Sequence, residues 1–174
     1  LMIQEGTSLV YPTSSMGSHV SAVPNHQVHR STPLNTRGVV AMAGSFGYEL
    51  DVTKMNEEEK EEVKKQVEFY KNIRSTVQFG DLYRLKSSFD SNEAAWMNLS
   101  KDGKEVVVSY VKKYAEANVI PRRLKVKALD ENSLYEVIET GEVFGGDELM
   151  YIGLEIGELM GDYQAKNWTL RKVD

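Results

Sequence analysis

The sequence predicts an α/β plus all-β chain. Two strand–helix units of a parallel sheet occupy residues 1–80, and an antiparallel β-sandwich domain occupies residues 81–174. Three observations predict this. A long amphipathic pattern runs from Asn56 to Gly80, behind two short apolar runs, Thr7–Tyr11 and Phe46–Leu50. After Gly80 the pattern changes to short alternating segments separated by turn residues. Asp102-Gly103 stands between two of these segments, and it signals a hairpin because both central residues of a type I′ turn need positive φ.

Taken in order, Thr7–Tyr11 reads as a short buried strand ended by Pro12. From Pro12 to Asn35 no clean period of 2 or 3.6 is found, which predicts a long loop. It holds all three histidines, His19, His26 and His29, and a loop of that length in a compact domain usually serves a function. Arg37–Ala43 reads as a short helix with Thr36 as its N-cap and Gly44 as its stop. Phe46–Leu50 is the second strand. The long helix begins after Asn56, with Glu59 at the capping-box position. Glu57, Glu58, Glu61 and Glu62 sit at its positive end, and Lys71 and Arg74 sit near its negative end. Val63, Val67, Tyr70, Ile73 and Val77 form its apolar stripe.

The second part reads as strands at Asp81–Lys86, Ala94–Leu99, Glu105–Val111, Arg123–Ala128, Leu134–Glu139 and Tyr163–Arg171. Asp130-Glu131-Asn132 is a turn. Glu148–Ile156 is a short helix capped by Asp147. Trp168 and Leu170 share one face of the last strand.

With 174 residues, 41% of them hydrophobic, the chain is long enough for one domain, or one small domain plus a piece of another. No apolar run approaches the roughly 20 residues that cross a bilayer. The opening Leu1–Gly6 lacks the basic and long apolar regions of a signal peptide. A strand-like run begins almost at once, so a fragment of a longer protein is expected. The absence of cysteine removes disulfides, thiolate nucleophiles and cysteine-ligated zinc, and is compatible with the cytoplasm, the expected location. A net charge of −5 argues against binding nucleic acid through phosphates. The basic stretch Arg122–Lys127 alternates with Leu124, Val126 and Ala128 and reads as the wet face of a strand.

Several constellations invite a chemical reading. His26-x-x-His29 has a spacing seen in metal sites, but no carboxylate lies close in the loop and no HExxH helix is present, so no metal is expected. A Ser-His-Asp arrangement would need a G-x-S-x-G elbow, which is absent. Gly145-Gly146 is too short to cradle a phosphate and reads as a turn. Glu49 and Asp51 end a strand on a shared face. A glycosidic pair must flank its substrate, so these two read as structural. Trp96 and Trp168 could stack on sugars, but in alternating strands they read as core.

The long first loop adds something specific. Gly6–Pro12, Ser14–Gly17 and His19–Gln27 resemble the late barrel region of bacterial α-galactosidases of glycoside hydrolase family 36. Thr32-Pro33-Leu34, Thr36-Arg37-Gly38, Phe46–Asp51, Tyr83-Arg84-Leu85, Asn92–Trp96 and Gly145–Met150 continue the resemblance in order. Two positions depart from it: Glu5 stands where an aromatic is expected, and His29 where something small is expected.

The resemblance implies that residues 1–80 are the last two βα units of a (β/α)8 barrel and residues 81–174 the C-terminal domain. In such a barrel the loops after the strands build the active site, which makes Ser14, His19, Asn25 and His26 candidates for the substrate-side rim. The family is a retaining one, with an Asp nucleophile and an Asp acid/base, and the motifs of both would lie upstream of Leu1. No catalytic residue is therefore carried over, and no cofactor is implied. The implied substrate is an α-galactoside oligosaccharide of melibiose or raffinose type. The implied partners are the remainder of the parent chain and further copies in a homo-oligomer, not nucleic acid or membrane. Two alternatives stand beside this. One is the same family with α-N-acetylgalactosaminidase or transglycosylase activity. The other is a non-catalytic carbohydrate-binding or assembly module, which an exposed Trp96 or Trp168 would favour.

Overall fold

The computed structural model describes residues 1–173. Its first half alternates helix and strand: α1 (Met2–Ser8), β1 (Gly17–Ser21), α2 (Leu34–Ala41), β2 (Ser45–Glu49) and α3 (Glu57–Phe79). β1 and β2 pair in parallel, from Gly17 beside Ser45 to Ser21 beside Glu49. Parallel neighbours need a crossover connection, and α2 supplies it. Two consecutive strand–helix units result, as expected.

The first strand does not lie at Thr7–Tyr11. Those residues form the end of α1 and the turn after it, with Leu9 N donating to Gly6 O (3.2 Å) and Tyr11 N to Thr7 O (3.0 Å). The Thr7 and Ser8 hydroxyls fold back onto the Ile3 and Glu5 carbonyls. Periodicity cannot tell a five-residue apolar run from a helix end, and here Leu9, Val10 and Tyr11 are exposed. The strand lies at Gly17–Ser21, inside the expected loop. Ser18 and Val20 are buried there, while Gly17, His19 and Ser21 are exposed. One of its two inward residues is polar, Ser18, which accepts a hydrogen bond from the Gln4 amide. That left little hydropathy contrast to read.

α2 starts earlier than expected. Pro33 holds its N-cap position, and Thr36 is buried inside the helix. α3 follows its sequence closely. The Asn56 side chain accepts from Glu59 N (2.9 Å), and the Glu59 carboxylate accepts from Asn56 N (3.1 Å), a complete capping box. Tyr70, Ile73 and Val77 are buried as the stripe required, joined by the polar Gln66 and Thr76, while Val63 and Val67 are only half-buried.

The second half is built on a six-stranded antiparallel sheet. Its strands are β3 (Asp81–Lys86), β4 (Glu93–Leu99), β5 (Glu105–Lys112), β7 (Leu134–Val137), β8 (Glu142–Gly145) and β10 (Gln164–Val173), in the order β3-β4-β5-β10-β7-β8. A short ribbon of β6 (Arg123–Leu124) and β9 (Leu154–Glu155) covers one face, together with α4 (Gly146–Tyr151). Met97, Val106, Val108, Tyr110, Trp168 and Leu170 of the sheet meet Leu124, Val126, Leu129, Leu149, Leu154 and Ile156 of that cover. Trp168 and Leu170 share this face, as their spacing required.

Local details differ from expectation. Only Arg123 and Leu124 of the Arg123–Ala128 run are laddered; beyond them Val126 N donates to the Leu149 carbonyl (3.2 Å) and Lys127 N to the Met97 sulfur (3.3 Å), and Ala128 turns to φ 57°. Leu124 and Val126 still point inward. The β4–β5 hairpin forms, but with a longer turn than type I′: Gly103 has positive φ (71°), Asp102 does not, and the Asp102 carboxylate accepts from Lys104 N (3.1 Å). α4 is capped by Gly145, with Asp147 inside its first turn. Gly146 is needed there, since a Cβ would run into the Asp130 carbonyl.

The sheet's other face rests on α2 and α3. Met42, Tyr70, Ile73 and Val77 pack on Val107, and Val39 packs with Val111, Ala165 and Trp96. Asn98 Nδ2 donates to the Val77 carbonyl (3.2 Å), which fastens β4 to the end of α3. Glu93, only 5% exposed, opens β4. Its carboxylate holds Lys86 of β3, Arg122 before β6, and the Tyr110 hydroxyl of β5 (2.5 Å). Burial pushes this acid up, but the Lys86, Tyr110 and Arg122 donors outweigh it and hold the acid below its ordinary value. Burial and the adjoining Glu93 push the Tyr110 hydroxyl up.

Candidate functional site

β1 and β2 have two unlike faces. On one, Val20 is buried, Phe46 stacks at 5.0 Å on Tyr70, and the Tyr48 hydroxyl donates to the Gln66 side-chain Oε1 (2.8 Å). Burial, with Glu62 nearby, pushes that tyrosine up to about 12. The other face carries Gly17, His19 and Ser21 on β1, and Ser45, Gly47 and Glu49 on β2. This follows from the period of 2 and the register. It is small and polar, and among the described residues no helix covers it.

On this face the His19 imidazole Nε2 contacts the Glu49 carboxylate. His19 lies beside Gly47, so Glu49 is its diagonal neighbour, one pleat nearer the strand ends. Both side chains are open, at 49% and 72% exposed.

Two loops leave the C-terminal ends of these strands. Residues 22–33 form the first. The Asn25 carbonyl side chain accepts from Gln27 N (3.0 Å) and Val28 N (3.1 Å), and Asn25 N donates to Arg30 O (2.9 Å). Asn25 therefore shapes the loop from within, an Asx-type turn, while His26 stands exposed at its tip. His29 adopts φ 54°, a left-handed conformation that favours glycine or asparagine and accounts for the expectation of a smaller residue there. Arg37 of α2 clasps the loop's base, its Nη1 donating to Ser21 O (2.7 Å) and its Nε to Thr32 O (2.9 Å).

The second loop carries Asp51, whose carboxylate accepts from the Thr53 hydroxyl (2.6 Å) and amide (3.0 Å). The hydroxyl first, then the amide, holds the acid below its usual range. Glu49 and Asp51 thus do not act as a pair: one turns to His19, the other caps a turn.

The four rim candidates are consequently spread. Asn25 and His26 lie beyond the C-terminal end of β1, and His19 lies on the strand itself. Ser14 lies in the short helical turn Thr13–Ser15, before β1 and at its opposite end. The His19–Glu49 contact was not expected. Reading it from sequence would have required both the strand at Gly17–Ser21 and its register with β2. The tryptophans offer no open platform: Trp168 is 1% exposed and Trp96 is half-buried between α2 and the sheet. This counts against a carbohydrate-binding module built on them.

Residues 1–80 match the Melibiase family, and residues 93–170 match the glycosyl hydrolase family 36 C-terminal domain. The chain belongs to glycoside hydrolase family 36. Among curated proteins it is 55% identical over 173 residues to α-galactosidase AgaA of Geobacillus stearothermophilus, a match that covers 99% of this chain and 24% of that protein. It is 51% identical over 174 residues to α-galactosidase Mel36A of Lactobacillus acidophilus, covering 100% of this chain and 24% of the relative. Among solved structures, the family 36 chain superposes on AgaA of G. stearothermophilus with a TM-score of 0.95 and 55% identity, over 98% of this chain and 24% of that one. AgaA has also been crystallised with raffinose and, as another variant, with stachyose. The chain spans about a quarter of the length of these relatives.

Proposed function

We propose that this family 36 chain is the C-terminal part of a retaining α-galactosidase that hydrolyses terminal α-galactosyl residues of melibiose- and raffinose-type oligosaccharides. In this reading residues 1–80 are the last two βα units of a (β/α)8 barrel, and residues 81–174 are its C-terminal domain. The observation that carries it is the fit to α-galactosidase structures along nearly the whole chain, at a TM-score of 0.95 and 55% identity.

The open β1–β2 face supports the same reading. A closed barrel turns one face of every strand inward and gives the other to helices. Here α2 and α3 back one face, while Gly17, His19, Ser21, Ser45, Gly47 and Glu49 form the other. In the assembled barrel they become a segment of inner wall, with residues 22–33 above it on the side where substrate enters. A retaining hydrolase needs two carboxyl groups about 5 Å apart across the scissile bond. Glu49 and Asp51 are engaged elsewhere, so both catalytic carboxyls come from other strands, and this chain by itself is inactive.

The test is hydrolysis of an aryl α-galactoside by the 174-residue chain and by a complete chain that contains it. Activity in the complete chain alone is expected. Turnover by the 174-residue chain would overturn the proposal. So would a complete chain that cleaves only an aryl α-N-acetylgalactosaminide.

A further inference from the structure

The base of the 22–33 loop is tied to the C-terminal sheet. Thr36 Oγ1, in the first turns of α2, donates to the Tyr163 carbonyl (2.5 Å), and Asn35 Nδ2 donates to the Ala165 carbonyl (2.9 Å). Within the loop, the Arg30 guanidinium lies 5.2 Å from the centre of the Tyr163 ring. That ring meets Tyr114 edge-on at 5.7 Å. A loop from one half of the chain is thus braced from the other by a cation on a tyrosine that is itself braced by a second tyrosine.

The backbone at Tyr163 carries an independent signal. Its φ is 51°, in the left-handed region that costs a residue with a Cβ about 1 kcal/mol or more. Glycine or asparagine would sit there with less strain, and Gly161, two residues earlier, already supplies one such position (φ 81°). Tyr163 N is held by the Lys113 carbonyl (2.8 Å), so the strained residue is fixed in place just before β10. A strained position that keeps a large aromatic side chain points to a use for that side chain.

We propose that Tyr163, backed by Tyr114, is a positioning residue. Through Arg30 it holds the 22–33 loop in the conformation that receives the oligosaccharide, so the C-terminal domain sets substrate affinity without touching the sugar. This rests on the α-galactosidase reading above. The cation–ring contact fixes the loop's outer arm, and Arg37 and Thr36 fix its base. Removing the ring frees only the arm.

The test uses the complete enzyme carrying Tyr163→Asn, which removes the ring and relaxes the backbone, with Tyr163→Phe and Arg30→Gln beside it. In Tyr163→Asn, amide hydrogen exchange over residues 22–31 is expected to accelerate, and KM for raffinose to rise by about two- to fivefold with kcat little changed. The melting temperature should not fall, because strain is relieved. Arg30→Gln should reproduce both effects, and Tyr163→Phe should behave as the parent. Unchanged exchange in Tyr163→Asn overturns the brace. Faster exchange with unchanged KM overturns its role in affinity. A complete enzyme inactive on every α-galactoside overturns the functional reading instead, and exchange then judges the brace alone.

Discussion

The parallel pair β1–β2 and the six-stranded antiparallel sheet lie on opposite sides of the α2–α3 layer, yet they meet different fates. The large sheet buries both faces, one under the helices and one under the β6–β9 ribbon and α4. The small pair buries only its helix side, and its other face is polar and open. A six-stranded antiparallel sheet can complete its core from local hairpins and a short cover. Two parallel strands cannot, because their ladder continues only through further crossovers. The region that can stand alone is therefore the one without the candidate site, and the region that needs more chain is the one that carries it.

That contrast can be broken by mutation. Trp168→Ala, in the doubly covered sheet, is expected to lower stability by about 3–5 kcal/mol in urea unfolding. Phe46→Ala, in the half-covered pair, should cost about 2 kcal/mol or less, and an equal loss at both sites would dissolve the distinction.

Glu93→Gln comes next. It strips the charge that Lys86 and Arg122 share, at a cost of about 1–3 kcal/mol, moderated because both cations keep about a third of their side chains in water. The Glu93 carboxyl is held below its ordinary 4.5, so its contribution is complete above that pH and is lost as pH falls through the lower folded value. Unfolding followed from pH 6 downward should show an acid-side decline that is shallower in Glu93→Gln, and an identical decline would remove this acid from the account.

Asn56→Ala is the smallest change. It opens the capping box of α3 and should cost about 1 kcal/mol, seen as a small drop in the urea midpoint without a change in slope. A loss several times larger would mean that α3 depends on its cap more than on its packing.

What could be read in advance follows the range of the forces involved. The capping box at Asn56 and Glu59, the stripe Tyr70–Ile73–Val77 and the shared face of Trp168 and Leu170 are local, and each is visible in a window of a few residues. β1 was hidden because its inward pair is Ser18 and Val20 and its partner β2 lies beyond α2. Thr7–Tyr11 has the composition of a strand but finds no ladder, and it ends a helix instead. The site divides the same way. Asn25 and His26 were placed beyond a strand end by loop position alone. Ser14 went to the opposite end because the strand that sets direction begins after it. The meeting of His19 and Glu49 depends on register, which neither segment contains by itself.

The position of β10 has a consequence for how the chain comes together. It is the last of the six strands in sequence, yet it lies in the middle of the sheet, between β5 and β7. As the polypeptide leaves the ribosome, β3, β4 and β5 can form a meander and β7 and β8 a hairpin, but the two stay separate until the final strand arrives to join them. The same strand brings Ala165, and the turn before it brings Tyr163, onto which α2 is fastened. A truncation that removed residue 163 onward would therefore leave two unjoined sheet fragments and an unanchored helix, exposing the apolar faces that quality control recognises.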